Sequence, residues 1–204
     1  MSSARPPLAV CVFCAASEAI EPRYVELASQ VGTGIARRGW SLVSGGGSVS
    51  SMGAVARAAR VGGARTIGVI PRQLMALEVS DHDADEVVVT DGMRERKGVM
   101  DARSDAFLAL AGGLGTLEEL LEVWVARTLR LHQKPVVVLD PDDLFAPLRE
   151  QVDTLVTRGF VRPEASAAVV WTDSVDAALD AVVELVTHPG SSRPTAVEAL
   201  ESDP

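Results

Sequence analysis

Residues 111–119 read Ala-Gly-Gly-Leu-Gly-Thr-Leu-Glu-Glu and directly follow the apolar run Ala106-Phe107-Leu108-Ala109-Leu110. That order is a strand, a glycine-rich turn and a helix start. Gly112, Gly113 and Gly115 let the backbone come close to a ligand. The free amides of a helix's first turn point at such a ligand, so the turn suits an anion and above all a phosphate. Glu118 and Glu119 then put carboxylates beside whatever carries the phosphate. Glu119 has a competing role, because Thr116-Leu117-Glu118-Glu119 has the spacing of a capping box, with Glu119 folding back onto the N-cap amide. The local pattern leaves both roles open.

A second segment, Gly92-Met93-Arg94-Glu95-Arg96-Lys97-Gly98-Val99-Met100, gathers positive charge at a helix start, with Asp91 placed to cap it. Cations there oppose the helix dipole, so the pattern calls for an anionic partner, either a ligand or Glu95. At helical spacing Met93, Lys97 and Met100 share a face, and Arg96 pairs with Met100 one turn on. A third segment, Ser44-Gly45-Gly46-Gly47-Ser48-Val49-Ser50-Ser51-Met52-Gly53, joins a strand to a helix. It is not a dinucleotide fingerprint, since Ser50 stands at the third glycine position and the turn follows the second strand. It is not a P-loop either, since no Gly-Lys-Ser/Thr closes it. It reads either as a plain tight turn or as a second wall of the phosphate site through Gly46 and Gly47.

The elements that must position these segments are legible in the apolar pattern. Strands are expected near 8–14, 41–44, 66–70, 86–90, 106–110, 135–139 and 167–171. Helices are expected near 22–38, 52–62, 92–104, 116–131, 142–158 and 174–187. Continuous apolar strands such as Pro135-Val136-Val137-Val138-Leu139 are covered on both faces, which implies a mostly parallel sheet. Strand–helix alternation makes the fold α/β, Rossmann-like and doubly wound, with ligand at the carboxyl ends of the strands. Residues 1–188 read as a single domain and 189–204 as a loose tail. Residues 76–85 read as a polar loop at the mouth of the site.

The chain has 204 residues, 47% hydrophobic and 23% charged, as a globular domain does. A net charge of −9 with no basic stripe argues against nucleic acid. No apolar run reaches the roughly 18–20 residues of a membrane span, and the N-terminus lacks a signal-peptide layout, so a cytoplasmic protein is expected. Cys11 and Cys14 have C-x-x-C spacing, but strand positions i and i+3 face opposite ways and no second Cys/His pair completes a zinc site. They read as two core thiols.

Gly-Gly-x-Gly-Thr-x-x-Glu at 112–119, Met-x-x-Arg-Lys at 93–97 and the Gly-Gly-Gly…Met-Gly turn at 45–53 together resemble the Lonely Guy family. These are cytokinin riboside 5′-monophosphate phosphoribohydrolases, often labelled lysine decarboxylases. The resemblance covers roughly residues 8–187. It implies a Rossmann-like homodimer with no cofactor or metal. The implied reaction is hydrolysis of the N-glycosidic bond of an N6-modified AMP to free base and ribose 5-phosphate. The family's catalytic pair falls on Arg96 and Glu119, its phosphate loop on Gly112, Gly113, Gly115 and Thr116, and its motif lysine on Lys97. Glu78, Met93 and Arg94 are candidates for the base pocket, and Trp124 and Leu131 for either interface or core. This chain departs from the family at Ala111, where proline is usual, at Arg94, where histidine is usual, at Ser44 for tyrosine, and at Ser50 for glycine.

Cleavage of such a bond passes through an oxocarbenium-like ribose. It needs an anchored phosphate, a carboxylate at the anomeric carbon and a donor near the leaving purine. Arg96 either donates to the purine or orients Glu119; a guanidinium is too weak an acid for proton transfer. Glu119→Gln and Arg96→Ala are each expected to abolish base release and leave folding intact. Three other readings remain: hydrolysis of plain AMP or another nucleoside monophosphate, a non-catalytic nucleotide-binding module, and a pyridoxal-phosphate decarboxylase built on Lys97 or Lys134.

Overall fold

The computed structural model describes residues 7–75 and 80–188. The elements run β1 (Ala9–Phe13), α1 (Pro22–Arg37), β2 (Ser41–Ser44), α2 (Ser50–Val61), β3 (Thr66–Pro71), β4 (Glu86–Thr90), α3 (Met93–Ala102), β5 (Ala106–Ala109), α4 (Leu114–Thr128), β6 (Val136–Leu139), α5 (Ala146–Thr157), α6 (Pro163–Ser166), β7 (Val169–Thr172) and α7 (Val175–Thr187). The strands form one sheet in the order β4-β3-β2-β1-β5-β6-β7, parallel at every pairing.

Alternate strand residues feed two cores. Val10, Val12, Leu42, Leu108 and Leu139 pack under α1, α2 and α7. Cys11, Phe13, Val43, Phe107 and Val138 pack under α3 and α4. Cys11 and Cys14 are free, buried and on opposite faces, as a period of two requires. Both thiols are pushed well above the usual cysteine range, first by burial and then by the charge of Glu119. Neither is poised for thiolate chemistry.

Two expected helices shift in register, and one short helix is unexpected. The helix expected from 116 begins at Leu114. The helix expected from 142 begins at Ala146, because the Asp140 carboxylate accepts the Leu144 and Phe145 amides at 2.8 and 3.0 Å and holds a turn there. The short helix α6 has only four residues, too few to leave a periodic signal.

The part of the polar loop that is described is held tightly. Arg60 makes a two-pronged bond to Asp81 at 3.0 and 3.1 Å, Asp85 accepts the Thr66 amide at 2.7 Å, and Ser80 forms a bridge with Gly47. Residues 76–79, which include Glu78, and the tail from 189 lie outside the described residues. No helix among the described residues is long and apolar enough to cross a membrane.

The strand order reverses between β1 and β5. Loops leaving those two strands diverge to opposite sides and open a crevice at the carboxyl edge of the sheet. The glycine turn after β5 forms one side of it, and the loop after β1 forms the other.

Candidate active site

Helix α4 starts at the crevice. Its N-cap is Gly113, in extended conformation, with no side-chain cap, so its first-turn amides are left for a ligand. Thr116 is buried in that first turn. A Cβ built on Gly112 would lie 2.1 Å from the Thr116 hydroxyl, so glycine there is what lets the turn fold over the threonine. Ala111 is buried behind it, and the Leu110 amide beside it donates to the Phe13 carbonyl at 2.9 Å. The sheet thereby holds the entry to the loop.

The two-residue offset of α4 removes Glu119 from the capping position. With the helix beginning at Leu114, Glu119 lies in the second turn, too far along to reach the N-cap amide. The capping-box expectation therefore fails. Glu119 turns inward instead, and its Oε1 accepts Arg96 Nη1 at 3.0 Å. Both residues are buried, with Arg96 6% and Glu119 9% exposed. Burial raises the Glu119 carboxyl above its usual range; the adjacent Arg96 charge opposes this, and Glu118 adds to it.

Arg96 is held on three sides. Its Nε donates to the Val69 carbonyl on β3 at 3.1 Å, Nη1 donates to Glu119, and Nη2 occupies the space over Gly45. A Cβ on Gly45 would come within 2.0 Å of Nη2. The glycine turn after β2 thus makes room for the guanidinium. Its other amides are engaged within the loop: Gly46 N–H points to Ser44 Oγ at 3.4 Å and Gly47 N–H to Met52 Sδ at 3.1 Å.

The rest of the basic segment is sorted by helix geometry. The N-cap of α3 is Gly92, not Asp91, and makes no side-chain bond. Glu95 supplies the cap-like contact, accepting the Asp91 amide at 2.7 Å. Arg96 and Met100 share the buried face; Met93 is half-exposed and Arg94 exposed at the helix start. Lys97 reaches across to α4, bonding Glu118 and, at 2.7 Å, Glu122. Those two carboxylates, Glu118 first, raise its pKa above the lysine norm.

A cavity of about 240 Å³ opens beside Glu119 between α3 and α4, with Phe13, Met100, Phe107 and Val123 among its apolar walls and Lys97, Asp101, Glu122 and His132 on its polar side. Among the described residues no group of three or more His, Cys, Asp or Glu side chains is placed to hold a metal. Of the interface candidates, Trp124 is core and donates from Nε1 to the Ala165 carbonyl at 2.7 Å, while Leu131 is exposed.

Sequence reasoning missed the loop after β1, which stands across the crevice from the glycine turn after β5. No motif marks it, and only the strand order puts it there. It also missed Gly45 as the seat of Arg96. The signal for that was a third consecutive glycine, one more than the turn itself needs.

The chain is similar to several known proteins. The family described as "possible lysine decarboxylase" matches residues 52–182. A cytokinin riboside 5′-monophosphate phosphoribohydrolase of Mycobacterium tuberculosis is 51% identical over 172 residues, covering 84% of this chain and 91% of that protein. One from Arabidopsis thaliana is 43% identical over 161 residues, covering 79% of this chain and 74% of that one. Among solved structures, a molybdenum cofactor binding protein from Rippkaea orientalis superposes with a TM-score of 0.69 at 27% identity, covering 90% of this chain and 99% of the other.

Proposed function

The chain belongs to the family described as possible lysine decarboxylases, in which its relatives are cytokinin riboside 5′-monophosphate phosphoribohydrolases, and on that premise we propose that it hydrolyses the N-glycosidic bond of an N6-modified AMP to free base and ribose 5-phosphate. The observation that carries the reading is the buried Arg96–Glu119 pair just beyond an uncapped helix N-terminus. Phosphate recognition alone does not need a sealed carboxylate.

The phosphate docks on the amides of α4 and on Thr116, with Gly112, Gly113 and Gly115 admitting it. Binding energy remote from the scissile bond thereby orients the ribose. Glu119, ionised, faces the anomeric carbon as positive charge develops there, and takes a proton from the attacking water. The water oxygen bonds to C1′, the C1′–N9 bond breaks and its electron pair leaves with the purine; the proton that Glu119 took from the water then passes to the purine, by way of solvent, which restores the carboxylate. Arg96 holds Glu119 in place and keeps it charged against its burial. Gly46 and Gly47 shape the wall that seats Arg96. Lys97, paired with Glu118 and Glu122, braces α3 against α4. Met93, Arg94 and Glu78 stand as candidates around the base, and the apolar part of the cavity beside Glu119 suits an alkyl substituent on it.

Lysine decarboxylase chemistry fits poorly. A Schiff base needs an unprotonated lysine, but Lys97 is tied to two carboxylates and Lys134 bonds Asp101 through both its side chain and its carbonyl, each at 2.6 Å. A pyridoxal-phosphate absorbance scan of the purified protein is expected to be blank.

We also propose that the protein works as a homodimer, in the cytoplasm. Along α4, Leu114, Leu121, Val125 and Leu129 form an exposed apolar stripe at helical spacing, with Leu131 beside its end. A stripe of that length on a monomer's surface marks a contact face.

The deciding experiment incubates the protein with AMP and with isopentenyladenosine 5′-monophosphate side by side and quantifies free base and ribose 5-phosphate. Release from the isopentenyl substrate is expected to be the faster. Faster release from AMP would make the chain an AMP nucleosidase, and no ribose 5-phosphate from either would make it a binding module.

A further inference from the structure

Ser50 opens α2 with a φ of 53°, in the left-handed region where a side chain crowds the backbone. Glycine would sit there without strain. The serine hydroxyl offers a reason for the strain: Ser50 Oγ donates to the Ser17 carbonyl at 2.6 Å. Ser17 lies in the loop leaving β1, the wall of the crevice opposite the phosphate turn. Two neighbouring bonds tie the same helical turn to the same region. The Met52 amide donates to the Ala15 carbonyl at 3.1 Å, and Ser51 Oγ to the Tyr24 carbonyl at 3.2 Å. Those two grip the loop at its root and beyond it on α1. Ser50 alone of the three reaches the exposed outer part of the loop.

We propose that Ser50 is a positioning residue, a strained latch that holds the β1–α1 loop against the bound nucleotide. Strain at a site persists where the surroundings over-determine it, and here the helix start and the hydroxyl bond do so. The inference rests on the nucleotide-hydrolase reading. It predicts two separable effects of substitution. Ser50→Gly removes both the strain and the latch. Ser50→Ala keeps the strain and removes the latch.

The test measures kcat and KM with isopentenyladenosine 5′-monophosphate, amide hydrogen exchange at residues 15–19, and Tm, for wild type and both variants. Both variants are expected to raise KM at least fivefold with kcat within about twofold, and to speed exchange at 16–19. The glycine variant is expected to melt above the alanine variant. A purely structural serine would move Tm and leave KM alone. Wild-type KM in the glycine variant overturns the proposal, whatever the exchange rates. If the wild type itself hydrolyses no nucleotide, the functional reading has failed, and the exchange comparison alone then decides the latch: unchanged exchange at 16–19 overturns it.

Discussion

Arg96 Nη1 and Glu119 Oε1 meet at 3.0 Å with both side chains almost sealed from solvent. The pair joins α3 to α4 at the lip of the crevice, and each charge compensates the other. Neither partner can be removed without leaving the other buried and alone. That interdependence governs what substitutions do, and it revises the expectation that both variants leave folding intact.

Glu119→Gln keeps an acceptor for Arg96 but leaves its buried charge uncompensated, so it should fold with a measurable loss of stability, smaller than that of Arg96→Ala, while ribose 5-phosphate release falls by about 10²-fold or more. Arg96→Ala should also abolish release, but at a cost of about 3–5 kcal/mol in denaturant unfolding at neutral pH. The cost should shrink in mild acid, where the stranded Glu119 takes up a proton. Equal stability of Arg96→Ala and wild type at neutral pH would refute the buried-pair account.

Burial, opposed by Arg96, raises the Glu119 carboxyl above its usual range. The folded state therefore binds that proton more tightly than the unfolded chain does. The linked stability is full below the ordinary glutamate value of about 4.3 and is lost as pH climbs through the raised folded-state value. Glu119→Gln should lack that slope. Catalysis runs the other way, since it needs the carboxylate, so kcat should show an acid limb above the ordinary glutamate value. The substrate phosphate titrates near about 6 and could mimic such a limb. Glu118 helps to raise Glu119, so Glu118→Gln should move a Glu119 limb to lower pH and leave a phosphate limb where it was.

Gly45→Ala tests the seat of Arg96. The new methyl would sit 2.0 Å from Nη2 and 3.1 Å from the Met52 side chain. The guanidinium must shift, and a displacement of about 1 Å in such a pair can cost about 10²-fold in rate. Expected is a large fall in kcat with a melting temperature within a few degrees of wild type. Retained kcat would show that the guanidinium has slack.

The exposed stripe on α4 predicts the oligomeric state. Light scattering of the wild type should give twice the chain mass, and Leu121→Asp with Val125→Asp should give the single mass. A monomeric wild type would remove the homodimer from the account.

The sequence by itself determined the elements and their order, because apolar period and glycine punctuation are local signals. It also marked the phosphate turn, and Arg96 and Glu119 as the pair to watch through their motif resemblance. It left Glu119 suspended between cap and catalyst, because that choice turned on where α4 begins, a two-residue difference that no local pattern resolves. It put Asp91 on the cap of α3, where Glu95 proved the better placed, since side-chain reach depends on backbone angles. Lys97 could be read as facing phosphate until α4 arrived beside it with Glu118 and Glu122. Only the tertiary structure brought β3, the glycine turn after β2 and α4 around one guanidinium, and set the loop after β1 across from the glycine turn after β5. Those contacts join residues far apart in the chain, and their geometry follows from strand order, which spacing along a sequence does not carry.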